Sequence, residues 1–293
     1  DCAEADRIIS VARVVADTLA RSDGITRQFL TRQMTEAFGA SDADGAWSMR
    51  DAYDALETAQ VMLVGRDDWR VMNEVAPEAA FAALLAFQNG LPTQTYRSEH
   101  QVDLQQFSTP LALAWLAAHA ARLTSSDHVL EPSAGTGMLA AHAARVGARL
   151  ALNERDDQRA ALLGLVLRHD VTSHDAEFIH DKLPTGLAPS VVLINPPFSR
   201  SEGRGRDRHA GARHLRSALL RLAHGGRCVA IMPPSFAPDG GSAAGYAAVA
   251  EVVPPRVEIT VLGNPYAKHG TSLTVRLLVY DKGWTGQTAR HTV

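Results

Sequence analysis

From about residue 127 to the end of the chain, short apolar segments alternate with helical segments, and this alternation limits the possible folds more than any other feature. Residues 191–194, Val-Val-Leu-Ile, form a continuous apolar run of the kind that is buried in a parallel sheet. Parallel strands need long crossover connections, which are usually helices. The alternation therefore predicts an α/β fold with a doubly wound sheet.

The same pattern predicts the order of the elements in this half of the chain. Strands are expected at residues 128–131, 149–153, 174–178, 191–194, 228–232, 257–262 and 273–280, and helices at residues 111–121, 138–146, 158–167, 214–222 and 245–252. The last two strands follow one another without a helix between them. They are therefore expected to form a C-terminal antiparallel hairpin on the sheet.

Residues 1–95 show no strand pattern. Apolar residues recur there at helical spacing, Ser48 can cap a helix over residues 49–63, and another helix is expected over residues 77–88. We therefore divide the chain into a small all-α N-terminal domain, residues 1–95, and an α/β domain, residues 96–293.

Charge is unevenly distributed between the two parts. The first 100 residues carry 16 acidic and 9 basic side chains, which gives a net charge of −7. Residues 101–293 carry 16 acidic and 20 basic side chains, which gives a net charge of +4. A nucleic-acid partner therefore fits the second part better.

Composition excludes several classes of protein. Cys2 and Cys228 are too few and too far apart for a disulfide framework or a zinc site, so no metal is expected. No apolar run is long enough to span a membrane, and the acidic N-terminus lacks the pattern of a signal peptide. We expect a cytoplasmic protein of bacterial type. Its first residue is Asp1 rather than Met, which fits a piece of a longer protein or a processed chain.

A turn that contains glycine follows the first predicted strand. Residues 131–137 read Glu-Pro-Ser-Ala-Gly-Thr-Gly and lead into a helix. Glycine lets the backbone approach a ligand and the helix N-terminus offers free N–H groups, so the turn is typical of a nucleotide-binding loop. Its spacing differs from the dinucleotide fingerprint, and Glu131 suits a cationic or amino-bearing ligand better than a pyrophosphate. The alternative is a tight turn capped by Ser133.

Two further acids lie near predicted strands. Glu154 follows strand 149–153, where a carboxylate can accept hydrogen bonds from both ribose hydroxyls. The alternative for Glu154 is an ordinary surface acid. Asp175, in the expected third strand, could accept a hydrogen bond from an adenine amino group, and its alternative is a capping or turn acid.

The most specific motif is Asn195-Pro196-Pro197-Phe198, directly after the buried strand 191–194. The prolines stiffen the loop and remove two backbone donors, which leaves carbonyl oxygens as acceptors. Together with the side chain of Asn195 they could hold a planar amino group and draw it toward the tetrahedral geometry that exposes its lone pair. Phe198 offers a face for a base, which must first leave its helix. The alternative is a chance Pro-Pro turn.

These motifs resemble those of the class I S-adenosylmethionine-dependent amino-methyltransferases, which have a Rossmann-like sheet. Residues 195–198 resemble the catalytic motif of that family and residues 131–137 its cofactor loop. Residues 107–110, Phe-Ser-Thr-Pro, resemble an upstream motif of DNA adenine-N6 methyltransferases. The resemblance covers about residues 104–282. It implies transfer of a methyl group from S-adenosylmethionine to an exocyclic amino group of a nucleic-acid base, with adenine N6 in DNA as the leading target.

The resemblance also implies roles for individual residues. Its implied catalytic residues are Asn195, Pro196, Pro197 and Phe198. Its implied cofactor-binding residues are Phe107, Thr109, Pro110, Glu131, Pro132, Ser133, Ala134, Gly135, Gly137, Glu154, Asp175 and Ala176. Thr109 and the loop would hold the methionine part, Glu154 the ribose, and Asp175 with Ala176 the adenine.

Substrate contacts are predicted in two loops. Residues 200–216 are rich in arginine and glycine, and Arg204, Arg206 and Arg208 suit phosphate groups. The alternative is a solvated loop. Tyr266, between the last two strands, is predicted to stack on the target base, with an ordinary hairpin tip as the alternative.

A closer likeness combines residues 51–57, Asp-Ala-Tyr-Asp-Ala-Leu-Glu, with residues 107–116 and 131–137. Together they resemble the N-terminal methylase region of large bacterial, plasmid and phage proteins that continue into a strawberry-notch-type helicase. This likeness implies a helicase region of the same longer protein as a partner, beside DNA. It also implies a restriction-modification or anti-restriction function carried on mobile elements.

Two rival functions remain open. An RNA or protein (glutamine) amino-methyltransferase would use the same chemistry, because the Asn-Pro-Pro-Phe motif and its Asn-Pro-Pro-Tyr relative occur in such enzymes. A non-catalytic, methylase-like DNA-docking module is the other rival. Free-standing relatives of this motif order carry a target-recognition domain after the catalytic domain, whereas only about a dozen residues follow the last predicted strand here.

Overall fold

The computed structural model describes residues 2–21, 23–73, 76–94, 108–198, 200–201, 205–269 and 274–293. Before the first strand the chain forms helices α1 (Cys2–Ala20), α2 (Arg27–Phe38), α3 (Met49–Val64), α4 (Pro77–Gly90) and α5 (Leu111–Ala121). The helices predicted over residues 49–63, 77–88 and 111–121 are all present. Helix α3 begins at a capping box, in which the side chains of Ser48 and Asp51 each accept a hydrogen bond from the backbone N–H of the other residue.

Strands and helices alternate in the remainder of the chain. The strands are β1 (His128–Glu131), β2 (Arg149–Asn153), β3 (Val171–Thr172), β4 (Val191–Ile194), β5 (Arg200–Ser201), β6 (Gly205–Arg206), β7 (Arg227–Met232), β8 (Val257–Val261), β9 (Val275–Asp281) and β10 (Ala289–Thr292). The helices are α6 (Met138–Arg145), α7 (Asp157–Leu167), α8 (Ile179–Lys182), α9 (Ala210–Arg221) and α10 (Ala243–Ala250).

Among the described residues, the main sheet has eight strands in the order β10-β8-β9-β7-β4-β1-β2-β3. Strands β3, β2, β1, β4 and β7 pair in parallel, and β9 is antiparallel to both β7 and β8. Successive residues of β4 enter two separate apolar clusters: Val191 and Leu193 belong to one, Val192 and Ile194 to the other. The predicted doubly wound sheet with a C-terminal antiparallel hairpin is therefore confirmed.

Two expectations for the sheet are wrong. The third strand is Val171–Thr172 rather than 174–178, because Asp175 caps a 3-10 turn at Ala176–Phe178 by accepting a hydrogen bond from the backbone of Glu177. The hairpin is also not the last part of the sheet, since β10 pairs in parallel with β8 at its edge. All four residues of β10 are exposed, so the strand has no apolar alternation that could reveal it.

Helix α3 joins the N-terminal helices to the α/β part. It packs against α1 and α2 and also against α6 and α7. Residues 51–61, 63 and 64 of this helix are buried, and Val61 lies in the same apolar cluster as Leu139 of α6 and Leu163 of α7. The two parts thus share one core, while the domain boundary near residue 95 stays a prediction. In the described part of the chain, no helix combines the length and the apolar character needed to cross a membrane.

Candidate active site

Polar residues follow three neighbouring strands at the edge of the sheet where parallel strands end. Asn195 follows β4, Glu131 is the last residue of β1, and Glu154 follows β2. These strands are adjacent and parallel, in the order β4-β1-β2. The chain turns to opposite sides of β1 to form β2 and β4, and ligands of open α/β sheets bind at such a switch point. The fold therefore brings the two main predicted motifs to one edge.

The glycine loop between β1 and α6 depends on two left-handed glycines. Gly135 has φ 56° and Gly137 has φ 99°, which L-residues with side chains rarely adopt. A Cβ atom at position 137 would also lie 2.6 Å from Cδ1 of Leu163. The loop is anchored to β2, because the backbone N–H of Ala134 donates to the carbonyl oxygen of Asn153 at 3.0 Å.

Glu131 has an unsatisfied acceptor inside the protein. The residue is 2% exposed, and its Oε2 atom has no hydrogen-bond partner among the described residues. Burial raises the pKa of Glu131 well above its usual range, the backbone N–H of Ala140 acts in the opposite direction, and the charge of Glu154 adds to the rise. A buried acceptor of this kind is costly unless a ligand or water pairs with it.

Glu154 supports the glycine loop. Its Oε2 atom accepts a hydrogen bond from the backbone N–H of Gly135 at 2.6 Å, and its Oε1 atom accepts one from the backbone N–H of Asp156 at 2.8 Å. The residue is 7% exposed, and burial raises its pKa despite the nearby N–H groups and Arg159. Glu154 is thus neither a surface acid nor remote from the loop.

Asn153 belongs to no predicted motif, although it organises this edge of the sheet. Its Nδ2 atom donates to the carbonyl oxygens of Pro132 and His174, both at 2.9 Å. Its Oδ1 atom accepts from the backbone of His174 and from the hydroxyl of Thr172, both at 2.8 Å. Asn153 therefore links the ends of β1, β2 and β3 and positions Asp175. An asparagine at a strand end is the only sequence signal for this role.

The diproline motif is held by hydrogen bonds from the side chain of Asn195. Its Nδ2 atom donates to Oγ1 of Thr109 at 2.9 Å and to the hydroxyl of Tyr266 at 3.2 Å. Thr109, predicted to bind cofactor, thus also contacts the predicted catalytic residue. The ring of Phe198 meets Tyr266 edge-on, with centroids 6.5 Å apart, and Phe198 is 7% exposed.

Helix α9 supports the motif from the other side. A Cβ atom at Gly211, in the first turn of α9, would lie 2.9 Å from the carbonyl oxygen of Pro197 and 3.4 Å from Cγ of Pro196. Only glycine permits so close an approach. Gly211 belongs to the glycine-rich segment 200–216, and the sequence does not predict its packing against the motif.

The residues predicted to contact substrate differ in their exposure to solvent. Arg208 is exposed beside the N-terminus of α9, whereas Tyr266 is fully buried and does not present its ring to a base. Phe107 and Arg204 lie outside the described residues, and only the backbone of Arg206 is described, in the antiparallel pair β5–β6. Within the described ranges, no group of three or more His, Cys, Asp or Glu side chains could hold a metal ion.

No protein-family model and no curated protein matches the sequence. Solved structures do match. A Listeria monocytogenes protein assigned to the class I S-adenosylmethionine-dependent methyltransferases is similar with a TM-score of 0.52 at 11% identity, over 99% of this chain and 93% of that one. The type I restriction-modification methyltransferase subunit from Streptococcus thermophilus has a TM-score of 0.51 at 14% identity, over 97% and 79%.

A third similar structure is the modification subunit assigned to a type I restriction enzyme of Vibrio vulnificus. Its TM-score is 0.51 at 16% identity, over 78% of this chain. The chain spans about half of that subunit, 54% of its length. At these identities the comparisons establish the fold alone, a doubly wound, Rossmann-like α/β sheet that this chain shares with those structures. The resemblance to strawberry-notch-type helicase proteins stays a prediction.

Proposed function

We propose that this chain transfers a methyl group from S-adenosylmethionine to an exocyclic amino group of a nucleic-acid base, with adenine N6 in DNA as the leading target. The observation that carries the proposal is the placement of Asn195. Its side-chain amide is fixed by Thr109 and Tyr266 at the end of β4, next to the strand whose end bears Glu131 and the glycine loop. The fold agrees, although fold alone does not assign an activity.

The residues at the sheet edge fit S-adenosylmethionine. Oε2 of Glu131 is a buried acceptor that lacks a partner among the described residues, and the ammonium group of the cofactor could donate to it. Each oxygen of Glu154 already accepts one backbone N–H and has a further lone pair for a ribose hydroxyl. Asp175 and Ala176 remain the proposed adenine contacts, and Thr109 with Pro110 the proposed methionine contacts.

The arrangement of Asn195 explains how a weakly nucleophilic amine could be activated. Nδ2 donates to Thr109 and Tyr266, so Oδ1 is the acceptor atom of this amide, and we assign it to a hydrogen of the base amine. The carbonyl of Pro197 faces Gly211, so we assign the carbonyl of Pro196 as the second acceptor. Two such acceptors would draw the amine hydrogens out of the base plane and raise the electron density on nitrogen.

Bound S-adenosylmethionine would supply an electrophilic methyl group, with a neutral thioether as the leaving group. Asn195 and Pro196 would hold the hydrogen that stays on the methylated amine, while its surplus proton would go to water. Stacking of the base on Phe198 belongs to the proposal as well. It requires a rearrangement around the ring, since Phe198 is 7% exposed in this structure.

DNA is favoured as the substrate by two observations. Two of the similar structures are subunits of restriction-modification systems by name, and residues 101–293 carry the excess of basic side chains. We extend the proposal to Arg204, Arg206 and Arg208 as phosphate contacts. From the sequence resemblance alone, we also propose a helicase region in the same longer protein as a partner. This proposal does not depend on the methyl-transfer chemistry.

The decisive experiment incubates the chain with methyl-labelled cofactor and with plasmid DNA, RNA and protein in competition, followed by nucleoside analysis. We expect label in N6-methyladenine of DNA. Replacement of Asn195 by alanine should lower transfer about a hundredfold or more, the size expected for loss of a transition-state hydrogen-bonding group, with cofactor affinity nearly unchanged. Asn264→Ala, at an exposed position in the connection between β8 and β9, is the matched control.

The rival functions give different results in that experiment. Label confined to RNA or protein contradicts the DNA assignment and leaves the methyl-transfer chemistry in place. DNA binding by the unmodified chain without transfer to any of the three substrates contradicts an enzymatic function and favours a docking module.

A further inference from the structure

A buried carboxylate of the N-terminal helices reaches the proposed cofactor loop. Glu57 of α3 is 3% exposed. Its Oε2 atom accepts a hydrogen bond from the hydroxyl of Ser108 and a longer one from Oγ1 of Thr136, at 3.4 Å. Ser108 precedes Thr109, and Thr136 lies between the two left-handed glycines of the loop. One oxygen atom therefore contacts both segments that are proposed to hold the methionine part of the cofactor.

We propose that Glu57 is a positioning residue of the cofactor site, which sets the position of Ser108 and Thr109 relative to the glycine loop. This inference rests on the proposed function and deepens it. It makes the N-terminal helices part of the cofactor site, because the loop takes its position from a side chain of α3. Glu57 itself is not proposed to touch the cofactor.

The negative charge of Glu57 is balanced by a buried arginine. The Nη2 atom of Arg159, on α7, lies 3.8 Å from Oε2 of Glu57 and 3.2 Å from Oδ1 of Asp54. The side chains of all three residues are at most 4% exposed. An ion pair this deeply buried contributes little net stability, but removal of one partner leaves an uncompensated charge. Such a network favours a single geometry, which is what a positioning role needs.

Further contacts place the loop directly against this network. A Cβ atom at Gly135 would lie 3.8 Å from Nη1 of Arg159, and one at Gly137 would lie 4.0 Å from Cγ1 of Val61. Val61 is on α3, one helical turn after Glu57. The loop thus rests on α3 and Arg159 along its length from Gly135 to Gly137, and a displacement of Glu57 would be transmitted to the loop.

The test compares Glu57→Gln with Glu78→Gln in the full chain. Both replacements remove one negative charge and nearly conserve shape, but Glu78 is exposed on α4. We expect Glu57→Gln to raise the Kd and the KM for S-adenosylmethionine about tenfold, the effect of weakening roughly one charge-assisted hydrogen bond. The kcat at saturating cofactor and the KM for DNA should change less than about threefold, since the reacting groups are untouched. Glu78→Gln should behave as the unmodified chain.

Ser108→Ala provides a second arm in case Glu57→Gln does not fold. It deletes one hydroxyl and leaves Glu57 paired with Arg159, so the fold is expected to persist. We expect a rise of about three- to tenfold in the KM for S-adenosylmethionine. The double variant should be little worse than Glu57→Gln alone, because both changes remove the same interaction. Glu57→Asp, which keeps the charge but shortens the reach, should lie between Glu57→Gln and the unmodified chain.

Failure of this inference is distinguishable from failure of the proposed function. If the unmodified chain transfers methyl groups and both Glu57→Gln and Ser108→Ala keep its KM for S-adenosylmethionine, the positioning role is wrong and the function stands. A fall in kcat at saturating cofactor without a rise in KM also overturns it. If the unmodified chain binds no S-adenosylmethionine, the proposed function fails and this inference fails with it.

Discussion

The Nδ2 atom of Asn195 lies 3.2 Å from the hydroxyl of Tyr266, although the two residues are 71 positions apart in the chain. Tyr266 is fully buried in the connection between β8 and β9. Burial raises the pKa of its hydroxyl well above the ordinary value, and the hydrogen bond from Asn195 lowers it only in part, so the group stays neutral. The antiparallel hairpin therefore positions the diproline motif.

We expect Tyr266→Phe to slow methyl transfer without preventing cofactor binding. The replacement keeps the ring against Phe198 and removes one acceptor of the Asn195 amide, so the orientation of that amide is less well defined. The loss of one hydrogen bond, about 1 kcal/mol, corresponds to a fall in kcat of roughly fivefold. Steady-state kinetics at saturating cofactor measure this fall in kcat.

Tyr53→Phe is the matched control for that prediction. It also deletes a buried tyrosine hydroxyl, which donates to the carbonyl oxygen of Thr93 at 2.8 Å, away from Asn195. An equal loss of kcat in both variants would mean that general destabilisation, and not the contact with Asn195, is the cause.

Gly211→Ala should displace the diproline motif. The added Cβ atom would lie 2.9 Å from the carbonyl oxygen of Pro197, so either α9 or the motif must move. Overpacking of this kind costs about 1–3 kcal/mol of unfolding free energy. We expect methyl transfer to fall further than cofactor affinity, because the change is at β4 and not at the glycine loop. Chemical denaturation and kinetics together check this.

Gly90→Ala serves as the comparison for Gly211→Ala. Gly90 ends α4, and a Cβ atom there would meet no atom within 4 Å. This variant should keep full activity. Normal transfer by Gly211→Ala would contradict the support that we assign to α9.

Glu131→Gln should change how stability depends on pH. Burial is the main reason that the pKa of Glu131 is raised in the folded protein. An acid with a raised folded pKa contributes stability that is complete below its unfolded pKa, near 4.5, and is lost as pH rises through the folded pKa. Above pH 4.5 the unfolding free energy of the variant should therefore fall less steeply with pH than that of the unmodified chain. The difference between the two slopes should be at most about 1.4 kcal/mol per pH unit.

Denaturation curves at several pH values between about 5 and 8 test the prediction for Glu131. The unfolding free energy of Glu131→Gln should still fall somewhat as pH rises, because burial also raises the pKa of Asp54, to about 6. Glu78 is exposed, so Glu78→Gln is the control and should leave the pH dependence of the unfolding free energy as it is in the unmodified chain. Parallel curves for Glu131→Gln and the unmodified chain would show that Glu131 titrates normally.

Simultaneous replacement of Arg204, Arg206 and Arg208 by alanine should weaken nucleic-acid binding and flatten its dependence on salt. On duplex DNA, the slope of log K against log salt should fall by about 0.9 for each phosphate that the variant no longer neutralises. Affinity for S-adenosylmethionine should not change. Arg7, Arg13 and Arg32 on α1 and α2 provide a triple replacement of equal charge, and equal losses in the two variants would indicate a nonspecific charge effect.

Sequence predicts those parts of the fold whose signal is local. The apolar run at 191–194 is buried on both faces, and the glycine turn at 131–137 needs left-handed backbone, so each is readable from a few residues. Strand β3 has only two residues and β10 is exposed throughout, so neither has a periodic pattern. Base-stacking by Tyr266 is expected from its place in a hairpin, but its burial depends on packing that a hairpin pattern does not encode.

The sequence includes Glu57 in a resemblance and Asn153 in a strand but predicts the contacts of neither, because those contacts join residues that are distant in the chain. Glu57 meets Thr136 across 79 positions, and Asn153 meets Pro132 across 21. On helix α3 the acids Asp51, Asp54 and Glu57 are all buried, although charged side chains are usually exposed. Their burial becomes visible only when α3 is placed against α7 and Arg159.

The separation of Glu57 from Thr136 also has a consequence for the order in which the protein is made. A ribosome adding about 5–20 residues per second incorporates Glu57 roughly 4–16 s before it reaches Thr136, 79 positions later. Helices α1 to α3 precede every strand of the sheet in the chain. The helix against which the glycine loop packs is therefore synthesised before the loop itself.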